Sequence, residues 1–241
     1  MGVHEALNDP RVVRNEYLDE RRLRARREVY SGGVPSAQEL VLEHIAQVAP
    51  GTILEPGCGE GEIGRRARVA LDAQVIGLDL SPRMARLARD GGLVVVQADV
   101  EALPFSDRSF DCAVAAWMLY HVADVASALS ELARVVAPGG RLVAATNGAQ
   151  HLIELRDLVG AGPAQLCFSR ENGETQLRKH FCSVARRDID GVVTFRDTAA
   201  VRSYIESSMV LGPLLGRLGK VTAPFQARRA VSVFVADGPR H

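Results

Sequence analysis

The sequence predicts an α/β fold built on a doubly wound, mostly parallel sheet, and three observations predict it. At 241 residues the chain suits one α/β domain with an elaboration, or at most two small domains. From residue 52 onward, short apolar stretches alternate with amphipathic ones, which is the rhythm of right-handed β-α-β units. Those apolar stretches are nearly continuous, as expected of strands buried on both faces.

Element by element, residues 11–30 carry seven arginines and four acids, and Tyr17, Leu18, Arg21, Ala25, Glu28 and Val29 follow a loose 3-4 spacing, which predicts a helix with a narrow apolar face. Ser31-Gly32-Gly33-Val34-Pro35 ends it. Ser36 and Glu39 make a capping box for a second helix, stopped at Pro50-Gly51. Then follow strand TILEP, helix EIGRRARVALD, strand QVIGLDL, and a helix opened by Ser81 as cap with Pro82 at its first position. GLVVVQAD and FDCAVAAWML are the third and fourth strands. DVASALSELARVVA is a helix halted by Pro138-Gly139-Gly140, and RLVAATN is the fifth strand. After Asn147 the rhythm breaks. HLIELRDLVG, RENGETQLRKHF and DTAAVRSYIESS read as helices, the last capped by Asp197; FCSVARRD, VVTFRD and VSVFVA read as short strands. We divide the single domain into an N-terminal helical cap (1–50), a core (51–147), an insert (148–229) and a final strand with tail (230–241).

Composition narrows the function classes. With 29 basic and 29 acidic side chains the net charge is zero, so there is no broad basic footprint for nucleic acid. Cys58, Cys112, Cys167 and Cys182 form no C-x-x-C pair and have no histidine at zinc-ligand spacing. They read as reduced thiols of a cytosolic protein, and no metal is expected. No apolar run reaches signal-peptide or membrane-span length, so neither export nor membrane insertion is expected. The sequence does not fix the oligomeric state, and a homodimer is compatible with it.

The segment GEGEIG, residues 59–64, satisfies the G-x-G-x-x-G pattern associated with a dinucleotide pyrophosphate on a helix N-terminus. The acids contradict that reading. Glu60 and Glu62 lie inside the loop, and Glu55 sits at the end of the strand before it, where a diphosphate would be repelled. The glycines at 57, 59 and 61 permit a tight turn and close approach of a ligand to the backbone. Asp79, 18 positions after Gly61, ends the second strand and can accept from both hydroxyls of a ribose. Asp99, after the third strand, can accept from an exocyclic adenine amine, with apolar Ala98 and Val100 beside it. All lie at the carboxyl ends of parallel strands, where open sheets bind ligands. Together they describe a pocket for an adenosine carrying a cationic tail.

Glu55-Pro56-Gly57-Cys58-Gly59-Glu60-Gly61, Gly77-Leu78-Asp79-Leu80-Ser81, Ala98-Asp99-Val100 through Phe105, Ser109-Phe110-Asp111 and Arg134-Val135-Val136-Ala137-Pro138-Gly139-Gly140 occur in that order. So ordered, the chain resembles a class I S-adenosylmethionine-dependent methyltransferase of the small-molecule type 11, ubiquinone- and menaquinone-methyltransferase-like group. The resemblance is strong over residues 50–147. It implies a Rossmann-like, seven-stranded sheet with helices on both faces and an antiparallel final strand. FCSVARRD and VSVFVA would supply the antiparallel pair. It further implies S-adenosylmethionine as cofactor, with Gly57, Gly59 and Gly61 along its methionine part and Asp79 at its ribose. Asp99 and Val100 fall at the adenine, and Glu55, Leu80, Met84 and Trp117 belong to the same cofactor set. Tyr17 and Tyr30 are candidates for the methionine carboxylate.

Methyl transfer requires a nucleophile held about 3–3.5 Å from the methyl carbon. An oxygen or activated-carbon nucleophile also benefits from a base. Trp117-Met118-Leu119-Tyr120-His121-Val122 follows the fourth strand at the same edge, and His121 is the candidate base because imidazole titrates near neutrality. Tyr120, Phe168 and Tyr204 are candidate walls for a small-molecule acceptor. The alternatives are an RNA or protein methyltransferase, a nucleotide-linked oxidoreductase, and a non-catalytic binding module. Where base-amino methylators carry an Asn/Asp-Pro-Pro-aromatic run, this chain reads AAWMLYH. No nucleic-acid partner is expected.

Overall fold

The computed structural model of the protein describes residues 36–240. The helix expected over 11–30, its arginine run, and Tyr17 and Tyr30 lie outside the described residues.

A seven-stranded sheet organises the chain, in the order β3-β2-β1-β4-β5-β7-β6. Strands β1 (Thr52–Pro56), β2 (Gln74–Asp79), β3 (Val94–Gln97), β4 (Phe110–Ala116) and β5 (Val136–Asn147) pair in parallel. The last two, β6 (Phe181–Phe195) and β7 (Phe225–Pro239), pair antiparallel, and β7 lies antiparallel to β5. The apolar strands are buried on both faces because helices cover both. On one side α1 (Ala37–Ala46), α2 (Glu62–Leu71) and α3 (Pro82–Asp90) bury Val41, Ile45, Ala67 and Ala88 against Ile53, Val75 and Val143. On the other, α4 (Val125–Val135) buries Leu129 and Leu132 against Leu54, Ala113 and Leu142.

The helix starts follow the caps predicted at Ser36, Ser81 and Asp197, and Asp124 caps a further helix. The Ser36 N–H donates to the Glu39 carboxylate at 3.1 Å. Ser81 Oγ accepts from Met84 N, Asp124 accepts from the N–H groups of Ala126 and Ser127, and Asp197 accepts from Ala200 N at the start of α7 (Thr198–Ser207). Helix α1 descends from the carboxyl edge, beside Ile189, to the opposite edge, where the His44 carbonyl accepts from Arg141 Nη1 at 3.0 Å.

Four expectations are corrected. FCSVARRD and VVTFRD are one 15-residue strand, not two. It is an edge strand, so its outward positions take Arg186, Arg187 and Asp190 without breaking the ladder to β7, and charge there blunts edge-to-edge pairing. Pro138-Gly139-Gly140 does not itself halt the helix, which ends at Val135. The tripeptide lies within β5, where the pairing with β4 jumps from Phe110↔Val136 to Cys112↔Arg141. The segments expected to be helical near 151–160 and 170–181 form only short helices, α5 (Ile153–Asp157) and α6 (Gly173–Leu177). Because β7 begins at Phe225, the expected boundary at 229/230 falls inside a strand.

Past the carboxyl edge, β6 and β7 continue as a two-stranded ribbon. Val231 pairs with Asn147, the last residue of β5. Beyond it, six more pairs run from Asp190↔Ala230 to Phe195↔Phe225, an overhang of about 20 Å. The ribbon carries its own apolar cluster, in which Leu155 of α5, Val201 and Ile205 of α7, and Leu214 surround Phe195. The ribbon, α5, α7 and Leu214 thus build a cap over the edge where the parallel strands end.

Candidate active site

The glycine turn after β1 is held from below by carboxylates. Gly57, Gly59 and Gly61 all have positive φ, of 64°, 55° and 75°, which glycine adopts at little cost. Glu55 is buried at 4% exposure and its Oε2 accepts from Gly64 N at 3.0 Å. Gly64 is in the first turn of α2, so a carboxylate of the chain itself already satisfies an N–H that a phosphate would need. A Cβ at Gly64 would stand 2.4 Å from that same oxygen, so the glycine is required for the contact.

Asp79 closes the turn from the neighbouring strand. Its Oδ2 accepts from Gly59 N at 2.9 Å and its Oδ1 from Ser81 N at 2.8 Å. Burial raises its pKa above the ordinary carboxylate value, and these two backbone bonds offset part of that rise. An ionised carboxylate has about four acceptor positions; two are used here, which leaves two for a vicinal diol. The Cys58 N–H donates to the Leu78 carbonyl at 3.0 Å, a second tie between turn and β2. Burial, then the charges of Glu55 and Asp79, push the Cys58 thiol far up, so it is an inert packing group.

Asp99 lies two residues past the end of β3, its Oδ1 accepting from Glu101 N at 3.0 Å, with Val100 buried beside it. A clamp absent from the sequence reading holds the following loop. Arg134 donates to the carbonyls of Leu103 (3.1 Å) and Phe105 (2.8 Å) and to Asp107 (2.7 Å), and Glu131 accepts from Leu103 N at 2.7 Å. Two of the motifs quoted above are therefore halves of one structure; their joint presence was the only signal for it.

Strand β4 stops at Ala116 because Trp117 takes a left-handed conformation, φ 55°. Such strain in a residue with a Cβ concentrates at functional sites. The turn aims Met118 back at the glycine loop: a Cβ on Gly57 would stand 2.5 Å from Met118 Cβ. Leu119–His121 form one 3-10 turn, and the rings of Tyr120 and His121 meet at 4.4 Å between centroids. Trp117, Tyr120 and His121 are all half-buried.

The structure thus gathers Glu55, Gly57, Gly59, Gly61, Asp79, Leu80, Asp99, Val100, Trp117, Tyr120 and His121 at one sheet edge. Two candidates are placed differently. Met84 and Phe168 have no exposed surface. Phe168 packs edge-on against Phe234, 5.8 Å between centroids, so it supports the core and cannot touch an acceptor directly. Tyr204 stands in the cap, edge-on to Phe195 at 5.6 Å. His151, for which the sequence offered no geometry, is buried where the cap meets β7. Its Nδ1 accepts from Ala230 N at 3.1 Å. Burial, together with Arg229, Arg170 and Arg156, pushes its pKa down to about 3. Among the described residues no cluster of three metal-ligating side chains occurs, and no helix is long and apolar enough to cross a membrane.

The arrangement is that of known proteins. Residues 54–144 match the family model described as a methyltransferase domain. A malonyl-[acyl-carrier protein] O-methyltransferase of Pseudescherichia vulneris is 36% identical over 141 residues, 58% of this chain and 56% of that protein. A demethylmenaquinone methyltransferase of Thermus thermophilus is 41% identical over 114 residues, 44% of this chain and 50% of that protein. The match thus spans about half the length of these relatives. The YcgJ protein of Bacillus subtilis shares the fold, with a TM-score of 0.62 over 84% of this chain and 99% of that one at 17% identity. A geranyl diphosphate methyltransferase solved with sinefungin shares it at a TM-score of 0.55 and 18% identity, over 84% of this chain and 76% of that one. Residues 54–144 are thus similar to a methyltransferase domain, carried here on a Rossmann-like seven-stranded sheet.

Proposed function

We propose that the protein transfers a methyl group from S-adenosylmethionine to an oxygen, nitrogen or carbon atom of a small organic acceptor, by in-line displacement. The observation that carries this reading is the pair of carboxylates under the glycine turn. Glu55 occupies the N–H that would receive a phosphate, and Asp79 keeps two acceptor positions beside the turn. This donor and acceptor set fits a ribose diol and a cation, and disfavours linked phosphates.

Bound there, S-adenosylmethionine would supply an electrophilic methyl on a sulfonium. The chain's part is to hold and exclude. Asp79 would take the ribose hydroxyls, and Asp99 and Val100 the adenine, with Leu80 flanking it. The backbone of Gly57 to Gly61 would line the methionine part. Trp117 and Met118 set the height of the site above the turn. Tyr17 and Tyr30 are assigned to the methionine carboxylate. Met84 and Phe168, fully buried, act through packing. His121 would accept the proton of a hydroxyl, amine or activated carbon, with Tyr120 and Tyr204 shaping the acceptor wall. A ubiquinone/menaquinone biosynthesis C-methyltransferase of Teredinibacter turnerae, 34% identical over 127 residues, and the malonyl-[acyl-carrier protein] O-methyltransferase support keeping both acceptor atoms in the reading.

The test is thermal denaturation with S-adenosylmethionine and with S-adenosylhomocysteine, followed by a screen of small hydroxylated and aminated acceptors with isotopically labelled donor. Both compounds should raise the melting temperature by several degrees, and label should appear in an acceptor. Absence of a shift with either compound would overturn the reading.

A further inference from the structure

We propose, on the methyltransfer reading above, that Arg134 and Glu131 of α4 are positioning residues that set the preference of the site for adenine. They act by fixing the loop that carries Asp99 and Val100.

Asp79 and Asp99 are held by different means. Asp79 ends β2 inside the ladder, paired in register with Gln97, the last residue of β3. Its carboxylate is pinned by the N–H groups of Gly59 and Ser81. Asp99 lies two residues beyond Gln97, about 7 Å past that last rung, and β3 is an edge strand with a neighbour on one side only. The chain there closes on itself. Ala102 N donates to the Asp99 carbonyl at 3.2 Å, and Glu101 N donates to the Asp99 carboxylate at 3.0 Å. These bonds give the turn its shape, but they do not fix where it stands relative to Asp79.

Helix α4 does that from both of its ends. At its start, Asp124 N donates to Glu101 Oε1 at 2.9 Å. Near its end, Glu131 and Arg134 hold Leu103 by both backbone groups. Leu103 N donates to Glu131 Oε2 at 2.7 Å, and Arg134 Nη2 donates to the Leu103 carbonyl at 3.1 Å. Arg134 Nη1 reaches the Phe105 carbonyl and Asp107, while Nε and Nη2 grip the two oxygens of Glu131 at 2.7 and 2.8 Å. A guanidinium has five N–H donors in a planar fork. All five are engaged: three hold the loop and two brace Glu131. The bond from Arg134 keeps the Glu131 carboxyl below its ordinary pKa, so the pair stays charged at neutral pH. Val100 and Leu103 are buried in the same cluster as Leu129 and Leu132 of α4. Position matters to a carboxylate facing the edge of a base. An exocyclic amine donates to it, whereas a carbonyl at the same place sets oxygen against oxygen. A fixed carboxylate enforces that difference, and one free to retreat does not.

The experiment uses the full chain and reads, by calorimetry, the ratio of its affinities for S-adenosylhomocysteine and S-inosylhomocysteine, in which a carbonyl replaces the exocyclic amine. The parent should prefer the adenine form by about 50-fold, the range of one hydrogen bond to a charged group. Arg134→Gln and Glu131→Ala should bring the ratio below about 5-fold, chiefly by weakening the adenine form. A merely structural role would lower the melting temperature, or weaken both ligands together, and leave the ratio unchanged. Where Arg134→Gln does not fold, Glu131→Ala decides, since alanine keeps the helix and removes only the acceptor for Leu103 N and the brace on Arg134. An unchanged ratio in the folded variants, or a parent that binds the two compounds equally, would overturn the proposal. Failure of the parent to bind S-adenosylhomocysteine at all would instead remove the methyltransfer reading itself.

Discussion

The floor of the site and the cap above it are held together by different forces. The floor is a set of hydrogen bonds that carboxylates accept from backbone N–H groups: Glu55 from Gly64, Asp79 from Gly59 and Ser81, and Asp99 from Glu101. Each fixes a loop at a few tenths of an ångström, and each removes a donor that another ligand would want. The cap is held by apolar burial around Phe195, on a ribbon that continues β6 and β7 of the sheet. Burial is non-directional. The cap can therefore exchange one apolar side chain for another of similar volume at small cost to the fold, whereas the floor cannot change without losing its geometry. One region is built for a fixed ligand, and the other can be retuned for a different one.

The sharpest way to break this comparison is to damage each region alone. Phe195 is 1% exposed and meets Tyr204 and Phe225 ring to ring. Phe195→Ala should cost about 3–5 kcal/mol of stability, measured by urea unfolding, while S-adenosylhomocysteine affinity in the folded protein stays within about twofold. A large loss of cofactor affinity would show that cap and floor are one unit. Asp79→Ala should do the opposite. It strands the N–H groups of Gly59 and Ser81 and removes the acceptor for the ribose, so calorimetry should show affinity down by about 100-fold, close to 3 kcal/mol. Gly57→Ala is the intermediate case. Its φ of 64° and the 2.5 Å approach to Met118 require both turn and Trp117–Met118 segment to shift. A fall of about tenfold in turnover is expected, with a smaller change in stability.

The smallest effect concerns His151, and its sign follows from burial. The folded pKa is pushed down to about 3, below its ordinary value of 6.5. The unfolded chain therefore binds the proton first as pH falls. Stability from this group is complete above pH 6.5 and is lost between 6.5 and 3, with a slope of about 1.4 kcal/mol per pH unit. Unfolding titrations of His151→Gln should show a flatter acid limb over that window. An unchanged limb would mean that the imidazole is not held neutral by the junction between cap and sheet.

The floor was legible in the sequence because each of its parts has a local cause. Strands buried on both faces must be apolar throughout, the turn needs glycine where φ is positive, and carboxylates at strand ends have few structural uses. Asp79 and Glu55 stood out for that reason. The sequence did not show that Glu55 points under α2 at Gly64, since that contact spans nine residues of a turn whose shape it helps to set. The cap was poorly legible. Its longest strand, β6, is at an edge, and Arg186, Arg187, Asp188 and Asp190 break the apolar pattern by which strands are recognised. Arg229 gave no signal, because an arginine beside Arg228 reads as surface until strand alternation assigns one inward and one outward. The Arg134 clamp depends on a loop and a helix about 30 residues apart, and only the fold joins them.

The central claim is that the acids under the glycine turn select an adenosyl sulfonium and refuse a dinucleotide. Isothermal calorimetry of the purified chain with S-adenosylmethionine, S-adenosylhomocysteine and NADP tests it directly. The account predicts saturable heat with the first two and none with the third. Saturable heat with NADP, and none with the methyl donor or its demethylated product, would contradict it.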